Sequence, residues 1–373
     1  MRVGYYLWGF LGDKKFNNDG QEITAPDGNT IYSWSIINEL QERGNEVTLF
    51  HDRDRIGFNK LGIDLFKSFA SKTRFKAYQN CNIINVNSLS DQIFDYMLIE
   101  WRWIMHGRND FGTKANNPKV FQPDYEDMIT LIDYCNTKNI PFIVYDLDYK
   151  LTVDDIKRFN IKYIAEPGDK FCKIENLGAK VLRVYQPFDF RFINDVTTTL
   201  KEHPSKDIIY VGNEYERNWA VEKYLPKGTD IWGNWLEPAH IDSANKFPYL
   251  NFHKRVNASE LPSIYYDSIS TVLLAKKEYA ENHFITPRLT ESIFYGTVPF
   301  FIEEFGEKTI SKFAGKYSDF LTVHNKKEVE KKVKILKKNY GLRCDIIKYM
   351  RVIMSFIDVK FYVNTIESVL GDN

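Results

Sequence analysis

Residues 281–301, ENHFITPRLTESIFYGTVPFF, place His283, Arg288 and Glu291 directly ahead of an apolar run that contains Gly296 and Pro299. Burial accounts for the apolar residues but not for the charged ones. If 287–296 is a helix entered at Pro287, with Thr286 as its N-cap, Arg288 and Glu291 stand three apart and share a face. Free N–H groups and positive potential at a helix start attract phosphate. A guanidinium fork in the first turn matches phosphate oxygens, and Glu291, one turn on, could accept two hydroxyl hydrogen bonds from a ribose. Together these groups would hold a nucleoside diphosphate. A plain surface Arg–Glu pair has the same spacing.

Two other stretches carry chemistry. In YVGNEYERNW (210–219) a strand runs into Gly212, then polar residues, then a helix. Glycine lets backbone approach a ligand closely, and Arg217 lies where it could reach the same diphosphate, although strand-to-helix turns often contain glycine for no such reason. YDLD (145–148) ends a strongly apolar strand. A carboxylate there points toward bound ligand, so Asp146 or Asp148 could take a proton from an attacking hydroxyl. Capping a helix or bracing a loop would use the same residues.

The elements that must position these residues alternate along the chain. MRVGYYLWGF, NEVTLFH, FDYMLIEW, IPFIVYDLD, KYIAEP and KVLRVYQP read as strands. TIYSWSIINELQERG, with Gly44 at its C-cap, and PDYEDMITLIDYCNTKN read as helices. A second set begins at Asp207 with IIYVGNEYE and continues through NWAVEKYL, TDIWGNW, a helix near SIYYDS, ISTVLLA and VPFFI. Such alternation predicts an α/β chain with parallel sheets and helices on both faces. The polar segment 187–206 reads as a linker, so two Rossmann-like halves would face a cleft lined by strand carboxyl ends.

Composition bounds the partners. The 373 residues include 50 Lys+Arg and 50 Asp+Glu, a formal net charge of zero. A generic polyanion binder is excluded, and any nucleic-acid contact must come from a local basic face. The basic run 326–351 is either such a surface or a solvated helical face. Aromatics at 15% suit both cores and stacking sites. Cys81, Cys135, Cys172 and Cys344 show no C-x-x-C or metal spacing; reduced thiols and no metal site are expected. No stretch approaches the roughly 18–20 apolar residues of a membrane span, and the first apolar stretch is too short for a signal segment. A soluble intracellular chain without a membrane partner is the expectation.

The stretch 284–305, with Phe284, Ile285, Thr286, Arg288, Glu291, the acidic pair Glu303–Glu304 and Phe305, resembles the nucleotide-sugar motif of the T-even bacteriophage DNA β-glucosyltransferases, which modify hydroxymethylcytosine. The resemblance continues in order, as short islands, in IIYVGN, WGN (232–234), IPFIVYD (140–146) and TIYSWSIINE (30–39). It implies a GT-B fold: an N-terminal acceptor domain 1–186 to which a C-terminal helix 352–373 returns, and a donor domain 187–351. It also implies an inverting transfer from a UDP-sugar to double-stranded DNA bearing a hydroxymethylated pyrimidine, by a monomer in the cytoplasm of an infected cell. Carried over by position, Asp146 resembles the general base, Arg288 and Arg217 the diphosphate ligands, and Glu291 the ribose ligand. Gly212, Asn213 and Gly233 would line the uracil and phosphate pocket. Trp101, Arg102 and Trp103 would stack on or wedge beside an extruded base, with Asp148 and His283 also near substrate.

Departures from the family pattern leave the donor open. Where the family's phosphate turn carries an earlier arginine, this chain has Glu214–Tyr215–Glu216, with Lys254 or Arg255 as candidate replacements. The sugar pocket around 277–283 also differs, so UDP-glucose, another UDP-hexose or a UDP-pentose fits. A divalent Mg2+ or Mn2+ is compatible but not required. A GT-B enzyme acting on a glycan or small molecule, and a non-catalytic nucleotide-sugar or DNA-binding module, are the competing readings.

Overall fold

The computed structural model describes residues 1–6, 28–51, 81–89, 92–101, 118–146, 149, 151–168, 178–185, 187–189, 200–256 and 260–370. The chain divides into two units. One comprises Met1–Pro167, Phe171–Asp189 and Ile357–Asn373, and the other Gly168–Lys170 and Phe190–Phe356.

The first unit is built on seven strands: β1 (Arg2–Tyr6), β2 (Glu46–His51), β3 (Asn82–Asn85), β4 (Tyr96–Glu100), β5 (Phe142–Tyr145), β6 (Tyr163–Glu166) and β7 (Lys180–Arg183). All pairings are parallel, in the order β3-β2-β1-β4-β5-β6-β7. β4 and β5 are buried along their whole length, as expected of a parallel sheet covered on both faces. The helix Val359–Leu370 belongs to this unit: Tyr362 is buried 5.5 Å from the Tyr145 ring, and Arg43 bridges Glu39 at 2.8 Å and Glu367 at 2.7 Å. The C-terminal segment thus holds two helices, because Tyr340–Ile353 ends inside the second unit.

The second unit has six parallel strands: β8 (Lys206–Val211), β9 (Asp230–Trp232), β10 (Asn251–His253), β11 (Ser268–Leu273), β12 (Val298–Ile302) and β13 (Thr322–Val323). Their order is β10-β9-β8-β11-β12-β13. Counted from its own first strand, this is the order of the first six strands of the other sheet, 3-2-1-4-5-6. Each sheet therefore reverses direction once, between β1 and β4 and between β8 and β11, and open α/β sheets take ligands at the strand carboxyl ends beside that reversal. The short edge strands β3, β10 and β13 were not anticipated, since two to four residues show too little alternation to read.

Residues 187–189 belong to the first unit and 200–206 to the second, so the boundary between the units falls inside the segment read as a linker. Phe188 bridges to Asp358, and Asp189, 2% exposed, accepts from Asn38 Nδ2 at 3.0 Å while its N–H donates to Ser35 Oγ at 3.1 Å. Arg343 holds the carbonyls of Lys201 and Glu202 at 3.2 and 2.6 Å, and Asp267 accepts from Lys201 Nζ at 2.5 Å and Ser205 N at 2.9 Å. The basic run 326–351 forms two helices that bury Val329, Val333, Leu336, Ile346 and Met350, and several of its cations serve the fold. Lys337 pairs with Asp207 at 2.9 Å, for example. Among the described residues no helix is long and apolar enough to cross a membrane.

Candidate active site

The second unit gathers most of the predicted residues at the carboxyl ends of β8, β9 and β11. β8 ends at Val211, and the next two residues, Gly212 and Asn213, turn the chain toward the helix Asn218–Tyr224. Gly212 N donates to Trp232 O at 2.8 Å, and Gly212 O accepts from Trp235 Nε1 at 2.8 Å. A Cβ on Gly212 would lie 2.6 Å from Arg288 Nε, and one on Gly233 only 2.2 Å from Gly212 O. Both glycines are therefore fixed by close approach, one to a guanidinium and one to backbone.

Arg288 Nε donates to Val211 O, its Nη1 to Thr286 Oγ1 at 3.2 Å, and its guanidinium lies 5.6 Å from the Tyr210 ring centroid. Thr286 was expected to cap the helix and instead supports Arg288: Pro287 holds the cap position, without a side-chain cap, and the helix spans Arg288–Phe294 rather than 287–296. A seven-residue helix gives the site little dipole, so the cations themselves must supply the positive potential.

Arg217 is the strongest signal. It is 5% exposed, its Nη1 donates to the carbonyls of Asn213 at 3.2 Å and Tyr215 at 3.1 Å, and its Nε has no hydrogen-bond partner. Among the described residues no carboxylate pairs with it. Burial lowers its pKa, and the neighbouring Arg288 charge pushes the same way. A buried arginine with an unused donor beside a second arginine is costly unless an anion completes it. The arrangement can bind an anion with several oxygens.

Glu291 Oε2 accepts from Tyr265 OH at 3.2 Å. Burial first, then the Glu291 charge, hold the Tyr265 hydroxyl well above its ordinary pKa, so it remains a donor. The same causes push Tyr295 up to about 12. Val211, Val256, Leu261, Ile264 and Tyr295 pack around Ile209, Trp232 and Tyr265 as an apolar shelf next to these groups. His283 has a left-handed backbone (φ 54°) because it closes the helix Lys277–Glu281, donating its N–H to Ala280 O at 3.0 Å. Its ring rests on Gly306, where a Cβ would come within 2.6 Å of Cε1.

The other charged residues of this region have partners within the unit. Glu214 faces His240 at 3.2 Å and Ser243 Oγ at 3.0 Å. Arg255 reaches Asn213 Oδ1 at 3.5 Å and pairs with Glu237 at 3.2 Å. Glu303 and Glu304 share Lys223 Nζ at 2.7 and 2.8 Å, which ties the acidic pair to the helix Asn218–Tyr224.

In the first unit, Asp146 directly follows β5, is fully buried, and accepts from Leu151 N at 2.9 Å on Oδ2; its own N–H extends the ladder to Ala165 O. Trp101 follows β4 but does not await a base. It is 1% exposed, packed in the apolar core with its ring 6.0 Å from Phe159. The stacking role expected of it gives way to core packing. Asp148, Arg102 and Trp103 lie outside the described residues. Sequence reasoning missed Tyr210, Asn234, Trp235 and Tyr265, whose only signal was type. Asn234 is fully buried, and its Oδ1 accepts from Glu214 N at 2.7 Å, bracing the turn after β8. Among the described residues no group of three His, Cys, Asp or Glu side chains could hold a metal.

The chain matches no protein-family model and no curated protein by sequence. Solved structures do resemble it. T4 phage BGT in complex with UDP-glucose aligns over 98% of this chain and 97% of its own, at 15% identity and a TM-score of 0.60. Anabaena Alr3699/HepE in complex with UDP-glucose aligns over the whole of both chains at 9% identity and 0.54. A Thermobaculum terrenum O-GlcNAc transferase aligns over 99% of this chain and 66% of its own at 10% identity and 0.52. Two parallel-sheet units that share the strand order 3-2-1-4-5-6, alike to these structures along nearly the whole chain, give it the GT-B glycosyltransferase fold.

Proposed function

We propose that the chain is an inverting glycosyltransferase that moves a sugar from a UDP-sugar to the hydroxymethyl group of a modified pyrimidine in double-stranded DNA. The observation that carries the donor half is Arg217, buried with a partnerless Nε beside Arg288 at the β8/β11 reversal. Those two arginines grip the diphosphate, Glu291 accepts from the ribose hydroxyls, and the shelf around Trp232 and Tyr265 receives the uracil. The structures of T4 phage BGT and HepE were solved with UDP-glucose, which supports a UDP-linked donor. Glucose, another hexose or a pentose would fit this scheme. A Mg2+ or Mn2+ bound with the donor would share with Arg217 and Arg288 the neutralisation of the diphosphate charge.

The reaction then follows from charge placement. The target base leaves the duplex stack so that its hydroxymethyl oxygen can reach the anomeric carbon. That oxygen forms the new bond, the bond from the anomeric carbon to the phosphate oxygen breaks, and UDP departs with the electron pair. Asp146 takes the hydroxyl proton. Arg217 and Arg288 stabilise the charge that grows on the diphosphate.

The zero net charge favours a second reading, transfer to a glycan or small molecule, because duplex binding draws on cationic surface. Incubating the protein with hydroxymethylated duplex, unmodified duplex and a panel of UDP-sugars, followed by mass analysis of the nucleosides, separates the two. A mass gain of one sugar on the hydroxymethylated nucleoside alone is expected. UDP release without any nucleoside gain would assign another acceptor. UDP binding without turnover would make the chain a binding module.

A further inference from the structure

The helix that carries Arg288 and Glu291 has only seven residues, Arg288–Phe294. A helix so short does not hold itself in water, and its last carbonyls have no partner within it. Two of them are taken by one distant side chain. Arg351 Nε donates to Ile293 O at 3.1 Å and Nη2 to Phe294 O at 2.9 Å, and its guanidinium lies 5.9 Å from the Phe294 ring centroid. Burial lowers the Arg351 pKa, so this cation has left water to sit where a helix end favours positive charge. Its backbone is firmly seated: Arg351 stands in the last turn of the 14-residue helix Tyr340–Ile353, which buries Arg343, Ile346, Ile347 and Met350.

We propose that Arg351 is a positioning residue for the donor, fixing through the Ile293 and Phe294 carbonyls the short helix from which Arg288 and Glu291 project. The inference rests on the reading that those two residues hold the UDP part of the donor. Losing the anchor lets the helix tilt, and a tilt moves both ligands at once. Arg343 supplies an internal control. It lies eight residues earlier on the same helix, is 1% exposed, and also binds two backbone carbonyls, those of Lys201 and Glu202, which carry no ligand-binding group.

UDP affinity by calorimetry and the thermal midpoint are measured for the wild type, Arg351→Met, Arg351→Lys and Arg343→Met. Arg351→Met weakens UDP about tenfold, while Arg351→Lys stays within about threefold because an ammonium can still donate to helix-end carbonyls. Arg343→Met lowers the midpoint but leaves UDP affinity unchanged. An Arg351→Met protein that binds UDP like the wild type, or an Arg343→Met protein that loses as much affinity, overturns the proposal. Should Arg351→Met fail to fold, the wild type decides. The Arg351 Nε–H resonance shifts as UDP is titrated, and an unmoved resonance overturns the proposal. A wild type that binds no UDP overturns the donor reading and this one with it, whereas binding that is indifferent to Arg351 overturns this one alone.

Discussion

The two units lay six strands in one order, and among the described residues they set different charged groups at the carboxyl ends. In the first unit those ends carry buried carboxylates. Glu100 closes β4 and accepts from Tyr5 OH at 2.8 Å and Ser33 Oγ at 2.7 Å; Asp146 follows β5; Glu166 closes β6 and pairs with Arg183 at 2.8 Å. In the second unit the corresponding ends carry Arg217 and Arg288, one of them with an unused donor. The lesson is that the scaffold fixes where a ligand can sit, and a few side chains at strand ends decide what sits there. Under the proposed function, the arginines would serve the departing diphosphate and the Asp146 carboxylate the alcohol that must lose a proton.

Substitution at Asp146 tests that contrast most severely. Asp146→Asn cuts sugar transfer by roughly 10²–10⁴ and leaves UDP affinity as it was, read by nucleoside mass analysis and calorimetry on the same preparation. Wild-type turnover in this variant would remove the carboxylate edge from the chemistry. Arg217→Met has the next largest effect, on the other edge. Losing a charge-assisted contact weakens UDP by about 10–100-fold, yet the ligand-free protein melts little lower, because removing a buried cation with no counter-anion among the described residues offsets the lost bonds to the Asn213 and Tyr215 carbonyls. A large drop in the ligand-free midpoint would mean that Arg217 already has its partner and awaits no anion.

Glu291→Gln distinguishes phosphate from ribose within the cationic edge. UDP binding falls about tenfold, the worth of one charged hydrogen bond, while inorganic pyrophosphate binding does not change. The smallest effect concerns a carboxylate at the amino end of β11, away from the site. Burial alone would raise the Asp267 pKa, but hydrogen bonds from Lys201 and Ser205 outweigh it and bring it from 3.8 to about 2. A depressed folded pKa means that the bonds stabilise the fold above the ordinary value, and that this share disappears as pH falls from 3.8 toward about 2. Circular dichroism across that window should show a shallower loss in Asp267→Asn than in the wild type. Parallel acid curves would mean that Asp267 is not coupled to folding.

Much of this was readable in the chain because strand ends are punctuated. Gly212 and Asp146 each follow an apolar run directly, and the run names the strand that places them; Arg217 and Arg288 lie further on, just before and at the start of the helices that follow β8 and β11. Trp101 misleads for the same reason. It too follows an apolar strand, and only packing against Phe159 reveals that the core has taken it. Thr286 fits a capping pattern, but Arg288 reaches back to it and Pro287 takes the cap. Tyr265 and Arg351 carry no local signal, since their importance lies in a partner 26 and 57–58 positions away.

By itself the amino-acid sequence settled the two strand–helix series and the type of charge at each strand end, because periodicity and residue chemistry are local properties. Only the folded chain decided that Arg217 has no counter-anion among the described residues, that Trp101 belongs to the core, and that Arg351 binds the carbonyls of Ile293 and Phe294. Those facts depend on desolvation and on neighbours brought together from remote parts of the chain, and neither is written in the spacing of residues along it.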